Sequence, residues 1–267
     1  MLYLIKYQKQ FILNRFFLLP IAFDVPSLLQ DLAVCDAFNW SKHYNTADYT
    51  GEWKGISLRS ASGAAENILA IQAKSFQDTP LMEQCHYFRK IISGFQCHLE
   101  TIRLLALAPG SHIKTHRDQG LSYTEGCFRL HMPILTDSEV AFVVDGEPLS
   151  MQAGECWYAN FDLPHNVIHN GSTRRVHLVI DGMRNDWTDK LFGDAGYDFE
   201  QENKPKQYDE KTKALMIEQL MAMGTETAMR LIAELQKTRT QVTQLFPLLL
   251  PSFTLLSNEF VFRFQSG

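Results

Sequence analysis

The sequence lacks the marks of a metal–thiolate, nucleic-acid-binding or membrane protein. Its 267 residues hold five cysteines (Cys35, Cys85, Cys97, Cys127, Cys156), scattered and without a CxxC pair. An odd number with no zinc-like spacing reads as reduced, packed thiols in a cytoplasmic protein, not as a disulfide frame or a structural zinc site. Lys and Arg number 25 against 30 Asp and Glu, a formal net charge of -5, and no dense basic stripe is present. Phosphate neutralisation needs such a stripe, so no nucleic-acid partner is expected. Apolar runs are too short and too interrupted to span a bilayer, and no membrane partner is expected. The opening stretch MLYLIKYQKQFILNRFFLLP is broken by Lys6, Lys9 and Arg15 and lacks a small-residue cleavage site. It reads as a first strand feeding a core, not as a signal peptide. Internal repeats and low-complexity tracts are missing too.

What is there is an ordinary globular composition, 45% hydrophobic and 21% charged, at a length that suits one large domain or one domain with an extension. From about Phe23 to Ile102, short helical runs mix with loops. VPSLLQDLAVC has helical spacing, YFRKIISGFQCHLETI reads as a longer amphipathic helix leading into a strand, and GEWKGISLRSASGAA as a strand running into a loop. From about Arg103 to Asp181 the pattern changes to short strands and turns. IRLLALAPG ends in Pro-Gly, CFRLHMPIL alternates in part, VAFVVDGEPLSM carries an Asp-Gly hairpin signal, and AGECWYANF and RRVHLVID continue the series. Strands at this spacing imply a sandwich or barrel, for which a jelly roll is one solution. Beyond Phe192 a polar stretch precedes helical periodicity in DEKTKALMIEQLMAMGTETAMRLIAELQ, with Asp209 as its N-cap and Met216, Met221 and Met223 as packing residues. The expected division is a β-rich domain with N-terminal helices over 1–192 and a linker with a C-terminal helical extension over 193–267. The apolar segment 238–267 is compatible with packing on the body, a homodimer contact or a small subdomain.

The chemistry centres on His116-Arg117-Asp118, which follows the turn Ala108-Pro109-Gly110-Ser111. Residues i and i+2 of an extended segment point to one side, so His116 and Asp118 can offer an imidazole nitrogen and a carboxylate oxygen to one ion. A third ligand must come from elsewhere, and His165 follows after a run of strands. Two histidines and a carboxylate leave open positions at a metal, the arrangement of iron(II) oxygenases. His169 competes with His165, and His112 competes less well with His116 because Lys114, not a carboxylate, stands two residues on. Ten residues past His165 lies Arg175, whose planar guanidinium suits the distal carboxylate of a 2-oxo acid. Arg129 and His131 share i, i+2 spacing and can face the interior to contact carboxylates. Trp53, Ser57 and Arg59 are candidates for the substrate pocket, with Arg59 on a substrate carboxylate, and Asn160 and Asp162 for orienting a ligand imidazole.

Several segments carry a family resemblance. They are LAPGSHIKTHRDQG, FRLHMPI and GECWYANFDLPHNVIHNGSTRRVHLVID, with Trp40-x-x-His43 and Tyr49-x-Gly51-x-Trp53 upstream. The stretch from Trp40 to Asp181 resembles the aspartyl/asparaginyl beta-hydroxylase family, in particular its bacterial, proline-hydroxylase-like members. The resemblance implies a double-stranded β-helix (jelly-roll, cupin-like) core and a 2-oxoglutarate-dependent non-haem iron dioxygenase. Such an enzyme uses Fe(II), 2-oxoglutarate and O2 to hydroxylate an amino-acid side chain, free or peptidyl, and releases succinate and carbon dioxide. Carried over, it makes His116, Asp118 and His165 the metal ligands, Arg175 the 2-oxoglutarate anchor, and Arg129 and His131 cosubstrate contacts. The animal enzymes lack the carboxylate ligand, so Asp118 sides this chain with full-triad members and against a halogenase. The alternative from another class is a cupin-like module that binds metal or a small molecule without turnover.

Overall fold

The computed structural model describes residues 14–202 and 210–237. By their internal contacts the chain divides into two units, Met1–Lys204 and Pro205–Gly267. In the first, strand β1 (Phe16–Ala22) leads to helix α1 (Val25–Cys35), short strands β2 (Ser41–Lys42) and β3 (Tyr49–Thr50), then β4 (Trp53–Ser60) and β5 (Gln77–Asp78). Helices α2 (Pro80–Gln84) and α3 (His86–Ser93) precede β6 (Leu99–Leu107), β7 (His112–His116), β8 (Cys127–Leu135), β9 (Val140–Val144) and β10 (Glu147–Leu149). Strands β11 (Glu155–Ala159), β12 (His165–His169) and β13 (Arg175–Met183), then helices α4 (Asp186–Asp194) and α5 (Phe199–Glu202), complete it. The boundary expected at 192/193 falls inside α4.

All strand pairs are antiparallel. One sheet runs β1-β11-β8-β13-β6-β4-β2 with β5 also on β4, and the other runs β10-β9-β12-β7-β3. From β6 to β13 the chain passes repeatedly from one sheet to the other, which is the winding of a double-stranded β-helix. Local chemistry sets the element ends. Asp24 accepts from the Ser27 amide at 2.9 Å and caps α1. Asp145 and Gly146, at φ 51° and 80°, make the two-residue turn between β9 and β10 that Asp-Gly signals. Helix α3 is shorter than its sequence pattern suggested, because Gly94 ends it and β6 begins five residues on.

The central strands β6, β8 and β13 are buried on both faces. Their outward side chains (Ile102, Leu104, Leu130, Met132, Val176, Leu178, Ile180) join Leu28, Leu32 and Phe88 of the helices in one core. Their inward phase meets the second sheet, where Leu105, Leu107 and Val179 pack with Ile113, Phe142, Val144 and Val167. That same inward phase carries Thr101 and Arg103, Arg129 and His131, and Arg175, His177 and Asp181. Period two thus drives a group of polar side chains into the interior, where each charge is costly unless paired. In the second unit, α6 (Glu210–Met223) and α7 (Glu226–Lys237) are separated at Gly224, φ 61°. Met221 and Met223, read as packing residues, are exposed. Asp209 and 238–267 lie outside the described residues. No helix among the described residues is long and apolar enough to cross a membrane.

Candidate metal centre and cleft

Strands β7 and β12 pair so that His116 and His165 are direct cross-strand partners. Their rings lie 4.2 Å apart between centroids. Asp118 follows β7, held by its amide donating to the Phe161 carbonyl at 2.9 Å. One ligand atom from each of His116, Asp118 and His165 lies within 4.8 Å of the other two. Each imidazole is oriented by a carbonyl: His116 Nδ1 with Lys114 at 2.8 Å, and His165 Nδ1 with Leu163 at 2.9 Å. A carbonyl only accepts, so Nδ1 carries a proton in both rings, and Nε2 is the atom that either ring can offer to a metal. Burial pushes His165 down to about 4, which leaves its ring neutral at physiological pH. Asp118 Oδ1 stands 3.7 Å from His116 Nε2, and Oδ2 accepts from Arg129 at 2.5 Å. Burial raises the Asp118 carboxyl, but Arg129, His165 and His116 more than offset this and hold it below its ordinary value. Two imidazole nitrogens, one carboxylate and a fixed orientation for each fit a divalent first-row metal.

This cluster opens on a cleft of about 770 Å³ that also reaches His43, Trp53, Arg103, Arg129, His131 and Arg175. Arg129, expected to contact the cosubstrate, is engaged by two carboxylates. Besides Asp118, it donates to Asp181 from Nε at 2.6 Å and from Nη2 at 3.1 Å. Arg175 differs. It is 2% exposed, and among the described residues no carboxylate lies within 4.0 Å of it. Its Nε donates to His177 Nε2 at 3.1 Å, its Nη2 stands 2.8 Å from His177 Nδ1, and its guanidinium lies 5.5 Å from the Phe142 ring centre. Burial pushes it down to about 9. Burial and Arg175 also push His131 and His177 well below the usual histidine value, so that neither carries a second cation there.

Of the pocket candidates on β4, Trp53 borders the cleft but Ser57 and Arg59 do not. Ser57 is buried and donates to the Asn67 carbonyl at 2.7 Å. Past it, a register shift between Ser57 and Arg59 breaks the alternation, and Arg59 pairs with Asp78 of the edge strand at 2.6 Å. His169 has both ring nitrogens occupied, by the Thr173 carbonyl and the Gly171 amide, so it does not compete with His165. Asn160 and Asp162 do not orient His165: Asn160 Oδ1 accepts from the Asp162 amide, and Asp162 from Gly120.

The sequence reading passed over Arg103, Asp181 and the stacking role of His43. Arg103 (3% exposed) and Asp181 (4%) are buried and paired at 2.7 Å. Their signal was present: a lone arginine in TIRLLAL, and a carboxylate in phase with Arg175 on RRVHLVID. His43 stacks on Trp53 with centroids 3.5 Å apart, and Tyr49 meets the same indole edge-on at 5.7 Å. His43 of the first upstream motif thus meets Tyr49 and Trp53 of the second, while Trp40 packs against the other core and donates to the Cys35 carbonyl at 3.1 Å. Gly51 is required at φ 82°, where a Cβ would strike Ser111. Among the described residues, the buried side-chain polar atoms without a hydrogen-bond partner are His43 Nδ1, Trp53 Nε1, Arg59 Nε and Arg103 Nε. Three of the four belong to residues lining the cleft.

Jelly-roll winding with two imidazoles and a carboxylate gathered at one end of the second sheet defines a double-stranded β-helix protein with a candidate metal site. The family model for aspartyl/asparaginyl beta-hydroxylase matches residues 24–185, and the chain belongs to that family. It is 27% identical to the L-proline cis-4-hydroxylase of Rhizobium meliloti (strain 1021) over 173 residues, 63% of this chain and 61% of that one. It is 30% identical to L-proline cis-3-hydroxylase 1 of a Streptomyces species over 140 residues, 49% of this chain and 47% of the other. The chain thus spans less than two thirds of either relative. Among solved structures, an oxidoreductase of the 2OG-Fe(II) oxygenase family from Burkholderia pseudomallei matches at a TM-score of 0.44. It is 13% identical, and the match covers 64% of this chain and 86% of that one.

Proposed function

We propose that this chain is an iron(II)- and 2-oxoglutarate-dependent dioxygenase that hydroxylates an amino-acid side chain, free or peptidyl. In this reading His116 Nε2, Asp118 Oδ1 and His165 Nε2 hold the iron, and Arg175 holds the distal carboxylate of 2-oxoglutarate. The observation that carries it is Arg175, a buried guanidinium with no anionic partner among the described residues, on the cleft that the His-Asp-His cluster lines. A metal-binding module without a cosubstrate has no use for such a charge, whose burial costs stability. A dicarboxylate entering beside the metal cluster would neutralise it.

When bound, the iron supplies, with 2-oxoglutarate and dioxygen, the oxidising power that releases succinate and carbon dioxide. The chain's own residues bind, orient and exclude water. Phe142, Phe161 and Val167 give the cleft a dry wall. The Nε groups of Arg103 and Trp53 are buried donors suited to an amino-acid carboxylate. L-proline, named in both relatives, is the first substrate to test. We place the protein in a reducing compartment, which suits its five free thiols.

The test is anaerobic titration of the apoprotein with iron(II) and then 2-oxoglutarate, watching for the weak visible metal-to-ligand charge-transfer band. The expected result is a band in the wild type that is lost in Asp118→Ala. Iron binding without a band would leave a metal-binding module. No iron binding at all would overturn the triad.

A further inference from the structure

Four charged side chains form one connected row away from the metal cluster. Asp118 Oδ2 accepts from Arg129 Nη1 at 2.5 Å, and Arg129 Nε donates to Asp181 Oδ1 at 2.6 Å. Asp181 Oδ2 then accepts from Arg103 Nη2 at 2.7 Å, and also from Thr101 Oγ1 at 2.5 Å. The signs alternate, minus, plus, minus, plus, from the carboxylate beside the histidines to a guanidinium whose Nε is buried without a partner. Strand register builds the row, since Asp181 is the cross-strand partner of Arg129 and Val179 that of Arg103.

The middle of the row is a shared charge. Asp181 carries one negative charge for two buried guanidiniums, so what it gives to Arg103 it withholds from Arg129. Arg129 in turn divides itself between Asp181 and Asp118. Its hold on Asp118 Oδ2 fixes which oxygen faces His116 and draws electron density from the carboxylate. An anion placed on Arg103 would loosen Arg103 from Asp181 and free Asp181 for Arg129. Arg129 would then relax its hold on Asp118.

We propose that Asp181 is a positioning residue that couples the Arg103 end of the cleft to the carboxylate of the metal cluster, so that an anionic substrate group on Arg103 retunes Asp118 through Arg129. The inference rests on the reading above that Asp118 is a metal ligand and that the substrate presents a carboxylate to Arg103.

The test uses the full chain loaded with cobalt(II), whose visible absorption reports ligand geometry without turnover; folding of each variant is checked by its thermal melt. Asp181→Asn leaves Arg129 wholly to Asp118 and should weaken cobalt binding by about 10- to 100-fold, the range for partners that orient a ligand. Arg103→Met should act in the opposite sense and tighten it. Thr101→Val decides between the row and bare electrostatics, because it alters no charge yet removes a donor from Asp181. It should tighten cobalt binding by about fivefold at most, the worth of one hydrogen bond, and it keeps the test open if Asp181→Asn does not fold. L-proline should shift the cobalt spectrum of the wild type in the same sense as Arg103→Met, and should leave the Arg103→Met spectrum unmoved. Variants that all weaken binding, or an inert Thr101→Val, would overturn the coupling while leaving the metal site standing. Opposite shifts in the variants with no response to L-proline would keep the coupling and dismiss that carboxylate. Failure of the wild type to bind cobalt would sink both readings.

Discussion

Replacing Arg175 by methionine removes a buried charge with no anionic neighbour among the described residues, and the effect on stability can be worked from its surroundings. Burial pushes the guanidinium from its ordinary value down to about 9, a penalty on the charged form on the order of 5 kcal/mol. The folded state sheds its proton first, so the penalty is fully present below about 9 and is relieved only as pH climbs from there toward the ordinary arginine value. Near neutrality the protein carries all of it. Against this stand the two contacts to the His177 ring nitrogens and the contact with the Phe142 face, together about 1–3 kcal/mol. The net expectation is that Arg175→Met is more stable than the wild type by about 1–4 kcal/mol, as when buried ions elsewhere give way to apolar side chains. For a domain of this size each kcal/mol moves the melting temperature by about 2–4 °C. Thermal melts in carboxylate-free buffer, with and without 2-oxoglutarate, check it. With the cosubstrate at about 100 times its Kd, the wild type should gain about 2.7 kcal/mol and the variant almost nothing, so their separation should narrow or reverse. A variant that melts below the wild type without any dicarboxylate would refute the reasoning, and so would equal gains for both proteins with 2-oxoglutarate.

Burial raises the Asp181 carboxyl, but Arg129 and Arg103 outweigh it and bring it from 3.8 to about 2. That stabilises the fold by about 2 kcal/mol, fully above 3.8 and lost as pH falls through about 2; Asp181→Asn should lose this acid-side slope, read from urea midpoints between about pH 5 and pH 3. Gly51→Ala combines a left-handed backbone with a clash against Ser111, and should cost about 1–3 kcal/mol by urea denaturation. Leu178→Ala, on the fully buried outward phase of β13, should cost about 2–5 kcal/mol in the same assay.

The convergence of His116, Asp118 and His165 was legible in the sequence because its geometry is local or one cross-strand step. His116 and Asp118 share a face by period two, and a single register places His165 opposite His116. The β9–β10 hairpin was equally legible, since Asp-Gly is a choice of backbone dihedral angles written in two residues. So was the inward placement of Arg175, from its phase on the strand. By itself, then, the sequence determined what depends on neighbours along the chain: strand periodicity, turn chemistry and the residue types of the cluster. Only the tertiary structure decided what depends on who meets whom. Arg59 looks like a pocket residue until a register shift and an edge strand take it to Asp78. Arg129 looks free for a cosubstrate until β13 brings Asp181 beside it. Arg103, an ordinary strand residue in the sequence, becomes a cleft residue because β6 and β13 bury their inward phase together. A buried charge is paired by hydrogen bonds that need donor and acceptor within about 3 Å, so the partner of each buried charge is set by strand register, which the order of residues does not state.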